Sequence, residues 1–100
     1  MKKQNQYFPQ SLPHPGETLA EKLEEMGISS IEFALRTCKP EKIVNDVLNG
    51  KSAITPDMAV KFETVTQIPA HFWLNSQRQY DEFIAREKYN KTLQLQPDTV

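Results

Sequence analysis

Apolar residues recur along this chain at three- and four-residue steps, interrupted by Gly, Pro and capping residues. In "GETLAEKLEEMG", Leu19, Leu23 and Met26 share one side and Gly27 supplies a C-terminal stop, which predicts a first helix. "SSIEFALRT" predicts a second. Ser29 caps it, Glu32 stands at the capping-box spacing and Ile28 precedes the cap as a hydrophobic staple. Phe33, Ala34 and Thr37 form its inner face. "PEKIVNDVLNG" predicts a third, with Pro40 in its first turn, an apolar stripe of Ile43, Val44, Val47 and Leu48, and Gly50 as stop. "ITPDMAVKFETV" predicts a fourth. Thr55 caps it, Pro56 takes the first turn, Asp57 complements the helix dipole, and Met58, Ala59, Phe62 and Val65 face inward.

A fifth helix starts near Pro69 and runs through "AHFWLNSQRQYDEFIAREKY", with Trp73, Gln77, Tyr80 and Ile84 on one stripe and Phe72, Ser76 and Phe83 beside it. Core packing is expected to cover Phe72 and Trp73. "TVTQI" is β-branched but short and flanked by helix signals, so no strand is expected. The pattern therefore predicts an all-α domain of five helices. Pro9, Pro13 and Pro15 keep the approach to the first helix extended. The expected organisation is a flexible N-terminal arm over 1–13, a folded domain over 14–88 and a flexible tail over 89–100.

Composition narrows the function. Apolar residues make up 38% and charged residues 25% of the 100 positions, which suits one small soluble domain with a modest core. The apolar runs are far shorter than a bilayer requires, and the two lysines at the N-terminus precede no signal-peptide apolar region. Cys38 is the single cysteine, so no intrachain disulfide is possible. A cytoplasmic protein with no membrane partner is the expectation. The net charge of -1 means that any nucleic-acid contact must come from a local basic patch.

Catalysis finds no constellation to support it. His14 and His71 are far apart in the chain, and neither has a second histidine or a cysteine at metal-ligand spacing. His14 suits a local polar contact, and His71 a surface or capping role. Cys38 has no activating neighbour, and three glycines make no phosphate-cradling loop. No enzyme activity, metal, cofactor or small-molecule substrate is expected.

Two short helices joined by a tight turn, the second ending "LNG", form the informative signal. Ala34 and Val44 fit the close-contact positions of a helix-turn-helix over about 29–49. Periodicity alone leaves a helical bundle that never touches DNA equally open.

Three ordered motifs go further. "HPGETLAEKLEEMGIS", "VLNGKSAITPDMAVKFE" and "FWLNSQRQYD" resemble the HigA-like (VapI-type) antitoxins, a branch of the XRE, lambda-repressor-like helix-turn-helix family. The match runs from His14 to about Tyr80. The resemblance implies a homodimeric autorepressor that binds operator DNA, and a toxin partner, a HigB-type, RelE-like endoribonuclease that the antitoxin neutralises. The alternative is an orphan XRE-type module that acts through protein contacts, with operator binding weakened or lost.

Carried onto this chain, the resemblance places the DNA reader at residues 39–51 and exposes departures from the family. The family's turn usually holds a leucine, a glycine and an apolar residue; here Thr37, Cys38 and Lys39 stand there. A cysteine in a left-handed conformation costs ~1 kcal/mol, so a reshaped turn is expected. Lys39 is expected to pack its stem and send its ammonium to solvent. Pro40 replaces the usual Ser or Thr cap and removes an N–H that could hold phosphate. Glu41 favours the helix dipole, or else accepts from a cytosine amino group. Lys42 can take phosphate or guanine, and Asn45 is the candidate for bidentate reading of adenine. Asp46 repels phosphate unless a cation screens it. Asn49 and Lys51, past the helix, are placed to reach backbone phosphate, or else only terminate the helix. Over 36–51, Arg36, Lys39, Lys42 and Lys51 oppose Glu41 and Asp46, a local balance of +2.

Two further surfaces are expected. Tyr80, Phe83 and Ile84 exceed what a small bundle needs and are candidates for the dimer interface. Glu17, Glu21, Glu24 and Glu25 give the first helix an acidic face that suits a basic toxin, or only solvent.

Overall fold

The computed structural model describes residues 12–95 and contains five helices: α1 (Pro15–Met26), α2 (Ser30–Thr37), α3 (Glu41–Leu48), α4 (Pro56–Thr66) and α5 (Ala70–Leu95). There is no strand among the described residues. The expected arm lies outside the described residues except for Leu12 and Pro13, as do residues 96–100 of the expected tail.

Local chemistry sets most of the helix ends. Ser29 Oγ accepts from the Glu32 N–H (3.1 Å) and Thr55 Oγ1 from the Met58 N–H (3.3 Å), as capping residues do. The capping box at α2 is half made, because the Glu32 carboxylate turns to Arg36 rather than back to the cap. Gly27 ends α1 at φ 71°, with the Ile28 N–H donating to the Leu23 carbonyl. Gly50 takes the same left-handed conformation after α3. Pro40 stands one position earlier than expected. It precedes the helix as its N-cap, extended at φ -61° and ψ 142°, and contributes no side-chain cap.

Helix α5 runs on past Tyr89, where the helical pattern was expected to end. It continues through Leu95, since neither Gly nor Pro interrupts residues 70–95. A helix of this length spans roughly 39 Å at 1.5 Å per residue, and it stretches the molecule to 54 × 32 × 20 Å.

The core joins all five helices through Leu19, Leu23, Phe33, Ala34, Val44, Val47, Met58, Phe62 and Trp73. Phe33, Phe62 and Trp73 form an edge-to-face series across α2, α4 and α5, with ring centroids 5.0 and 5.7 Å apart. Ile54, in the loop before α4, is tied to α5 because its N–H donates to the buried Gln77 Oε1 (2.8 Å). Phe72 departs from expectation. It is 42% exposed, whereas Trp73 beside it is fully buried.

Candidate nucleic-acid interface

The inner faces of α2 and α3 hold α3 in place. Ala34, Val44 and Val47 are buried where the two helices meet. Thr37 closes α2 from inside, its hydroxyl donating to the Phe33 carbonyl (2.8 Å). Cys38 then adopts φ 58° and ψ 39° itself, and the Lys39 N–H donates to the Ala34 carbonyl (3.0 Å). The expected reshaping does not occur. The turn keeps the geometry that glycine would favour, and the cysteine bears the steric cost.

The far end of α3 is held from α1. The His14 ring caps α1, its Nδ1 accepting from the Gly16 N–H (2.9 Å). Gly16 sits so close to the last turn of α3 that a Cβ there would fall onto the Val47 carbonyl oxygen. A Cβ added at Gly50 would stand 3.8 Å from the His14 side chain. His14 is thus a junction between α1 and the end of α3.

With α3 fixed at both ends, Lys42, Asn45, Asp46 and Asn49 fall at i, i+3, i+4 and i+7 on one face, opposite Val44 and Val47. Lys42, Asn49 and Lys51 are exposed, as are Pro40 and Glu41; Asn45 and Asp46 are half-buried. Lys42, Asn45, Asp46 and Asn49 therefore share a surface. Lys39 departs from them. Its Nζ lies 2.6 Å from Asp57 Oδ2 at the start of α4, with the side chain only 21% exposed, so the ammonium is held by a carboxylate instead of standing in solvent. Asp57 also meets Lys61 (3.5 Å), and these lysines, Lys39 first, hold its carboxyl below the usual range.

Two of the other three cations are paired as well. Arg36 meets Glu32 at 2.6 Å and Lys42 meets Asp46 at 3.2 Å. Lys51 has no carboxylate partner among the described residues. Residues 32–57 thus carry four cations and four carboxylates, and the positive balance read over 36–51 disappears. Glu32 and Asp57 are the residues missed. Glu32 was legible as the i–4 neighbour of Arg36, whereas Asp57 reaches Lys39 only through the tertiary fold.

Of the expected dimer residues, Tyr80, Phe83 and Ile84 are half-buried and line a groove of about 360 Å³ together with Leu12, Glu87 and Lys91. Tyr80 is partly engaged within the subunit, its ring 4.8 Å from that of His14. Glu17, Glu21, Glu24 and Glu25 are all exposed on α1, and Glu25 pairs with Lys22 (3.4 Å). Among the described residues no acidic, histidine or cysteine group could hold a metal ion, and no helix is long and apolar enough to cross a membrane.

A tight-turned helix pair with a polar second helix, braced by three others, defines a helix-turn-helix protein. The helix-turn-helix family model matches residues 19–73, and the chain belongs to that family, in its XRE-type branch. It is 37% identical over 65 residues to YddM, an HTH-type transcriptional regulator of Escherichia coli K12, covering 65% of this chain and 69% of that one. An addiction module antidote protein of the HigA family from Coxiella burnetii superposes with a TM-score of 0.77 at 32% identity, over 89% of this chain and 98% of that one. The antitoxin HigA of Pseudomonas aeruginosa, solved with the higBA promoter, also gives 0.77, at 28% identity over 89% and 99%. The structural neighbours are HigA-family antitoxins, and the fold is not that of an enzyme family.

Proposed function

We propose that this chain is the antitoxin of a type II toxin–antitoxin pair. As a homodimer it binds its own operator through α3, represses its own operon and neutralises a HigB- or RelE-like endoribonuclease. The observation that carries this reading is the agreement of nearly the whole chain, α5 included, with an antitoxin solved on its promoter. The shared polar face of Lys42, Asn45 and Asn49 on α3 supports the DNA role, and the half-buried Tyr80, Phe83 and Ile84 of α5 support the dimer. The exposed acidic face of α1, Glu17, Glu21, Glu24 and Glu25, is the surface offered to a basic toxin. Two half-sites about 34–36 Å apart are expected for a symmetric dimer.

One observation favours a second reading. Arg36, Lys39 and Lys42 are each neutralised within the subunit, as expected of an XRE-type module that has lost operator binding and acts through protein contacts. A mobility-shift titration on the gene's own promoter separates the two. Selective binding over a scrambled duplex at low salt supports the repressor; its absence leaves the protein-contact module. Asn45→Ala is expected to weaken promoter binding more than scrambled binding. A small basic reading frame beside the gene supports the toxin partner, and an isolated gene argues against it.

A further inference from the structure

The ion pair on the reading face, Lys42 to Asp46, has a consequence for sequence discrimination, resting on the proposal that α3 enters DNA. Both side chains lie on the surface that would meet the groove. Lys42 is 83% exposed and Asp46 26%, with Nζ 3.2 Å from Oδ2. Phosphates occur along any duplex, so a free lysine here would bind all sequences alike. Lys42 is not free. A phosphate that captures it must displace the Asp46 carboxylate. That carboxylate then faces DNA unpartnered, unless a base edge offers it a donor. The amino groups of cytosine and adenine are the donors available in the major groove.

We propose that Asp46 is a specificity-determining residue: it withholds Lys42 from phosphate and releases it where the groove presents a base amino group to the freed carboxylate. Asp46 suppresses binding to random sequence rather than strengthening binding to any sequence. The neighbouring pairs point the same way, since Glu32 and Asp57 hold Arg36 and Lys39 at 2.6 Å.

Salt dependence distinguishes this competition from a merely structural role. Lys42 on a phosphate with the freed Asp46 carboxylate beside it brings no net charge to the duplex, so the DNA keeps its condensed counterion and the wild-type pair adds little to the salt slope. With the carboxylate removed, the same contact adds about 0.9 to that slope. Asp46→Asn keeps the side chain's shape and removes its charge. It is expected to tighten binding to a scrambled duplex by about threefold, the scale of an exposed ion pair, and to steepen the slope of log K against log salt by about 1. Lys42→Gln in the Asp46→Asn background is expected to abolish both changes. Fluorescence anisotropy on scrambled and promoter duplexes at several salt concentrations reads every arm. Unchanged scrambled affinity and slope in Asp46→Asn overturn the proposal. So does a gain that survives Lys42→Gln, which would assign it to general charge. Failure of the wild type to prefer its promoter sinks the operator reading, and the scrambled arms still decide whether Asp46 restrains Lys42.

Discussion

The imidazole of His14 stands edge-on to the Tyr80 ring, centroids 4.8 Å apart and planes at 76°, while its Nδ1 accepts the Gly16 N–H that opens α1. This contact joins the first helix to the last beside the end of α3. It requires a neutral ring, because a protonated Nδ1 cannot accept a hydrogen bond. Burial lowers the histidine's pKa below its ordinary 6.5, against the opposing pull of Asp81, of Glu17 and of a hydrogen bond to the Ser52 backbone.

A pH dependence follows. Between the lowered folded value and 6.5 the unfolded chain binds the proton more readily, so stability rises with pH there. The contribution of His14 is complete above 6.5 and is lost as pH falls through the folded value. Urea midpoints are expected to drop between pH 7.5 and pH 5. The drop should be shallower in His14→Asn, which retains a capping side chain but does not titrate. Equal pH profiles for the two proteins would remove His14 from this role.

Gly16 is a packing requirement. The added Cβ of Gly16→Ala meets the Val47 carbonyl, a backbone atom that cannot rotate away. The cost is expected to be about 1–3 kcal/mol, the usual range for overpacking, measured by urea unfolding. The strain falls on the last turn of α3, so promoter binding should weaken at temperatures where the fold persists.

Cys38 gives a prediction of opposite sign. It is exposed and holds a left-handed conformation between α2 and α3. Cys38→Gly relieves a cost of ~1 kcal/mol, less the entropy of a more flexible unfolded chain. A higher urea midpoint with unchanged DNA binding is expected. A lower one would mean that the added unfolded-chain entropy, or a contact of the thiol, outweighs the backbone strain.

The groove on α5 tests the dimer. Phe83 and Ile84 are half-buried, and Tyr89 and Leu93 further along are 63% and 52% exposed. Phe83→Glu combined with Ile84→Glu is expected to give a helical monomer in sedimentation, with half-site affinity for DNA. A dimer that persists would place the interface elsewhere.

Much of the fold was legible because helix ends are local chemistry. Ser29, Thr55, Gly27 and Gly50 act within a few residues of themselves, and the 3.6-residue period identified Leu19, Phe33, Val44, Phe62 and Trp73 as core. The acidic residues on α3 were equally plain, as was the family motif. Other features depend on residues distant in the chain. The Lys39–Asp57 pair, the Gln77–Ile54 hydrogen bond and the approach of Gly16 to Val47 each join different parts of the fold. Periodicity could not distinguish Phe72 from Trp73 either, because each lies near the inner stripe and only the position of α4 decides which ring it covers. The sequence alone therefore determined which segments are helices and which faces are apolar, since those follow from near neighbours. Tertiary structure decided which cations remain available to DNA, because a charge is neutralised by whichever carboxylate the fold brings beside it.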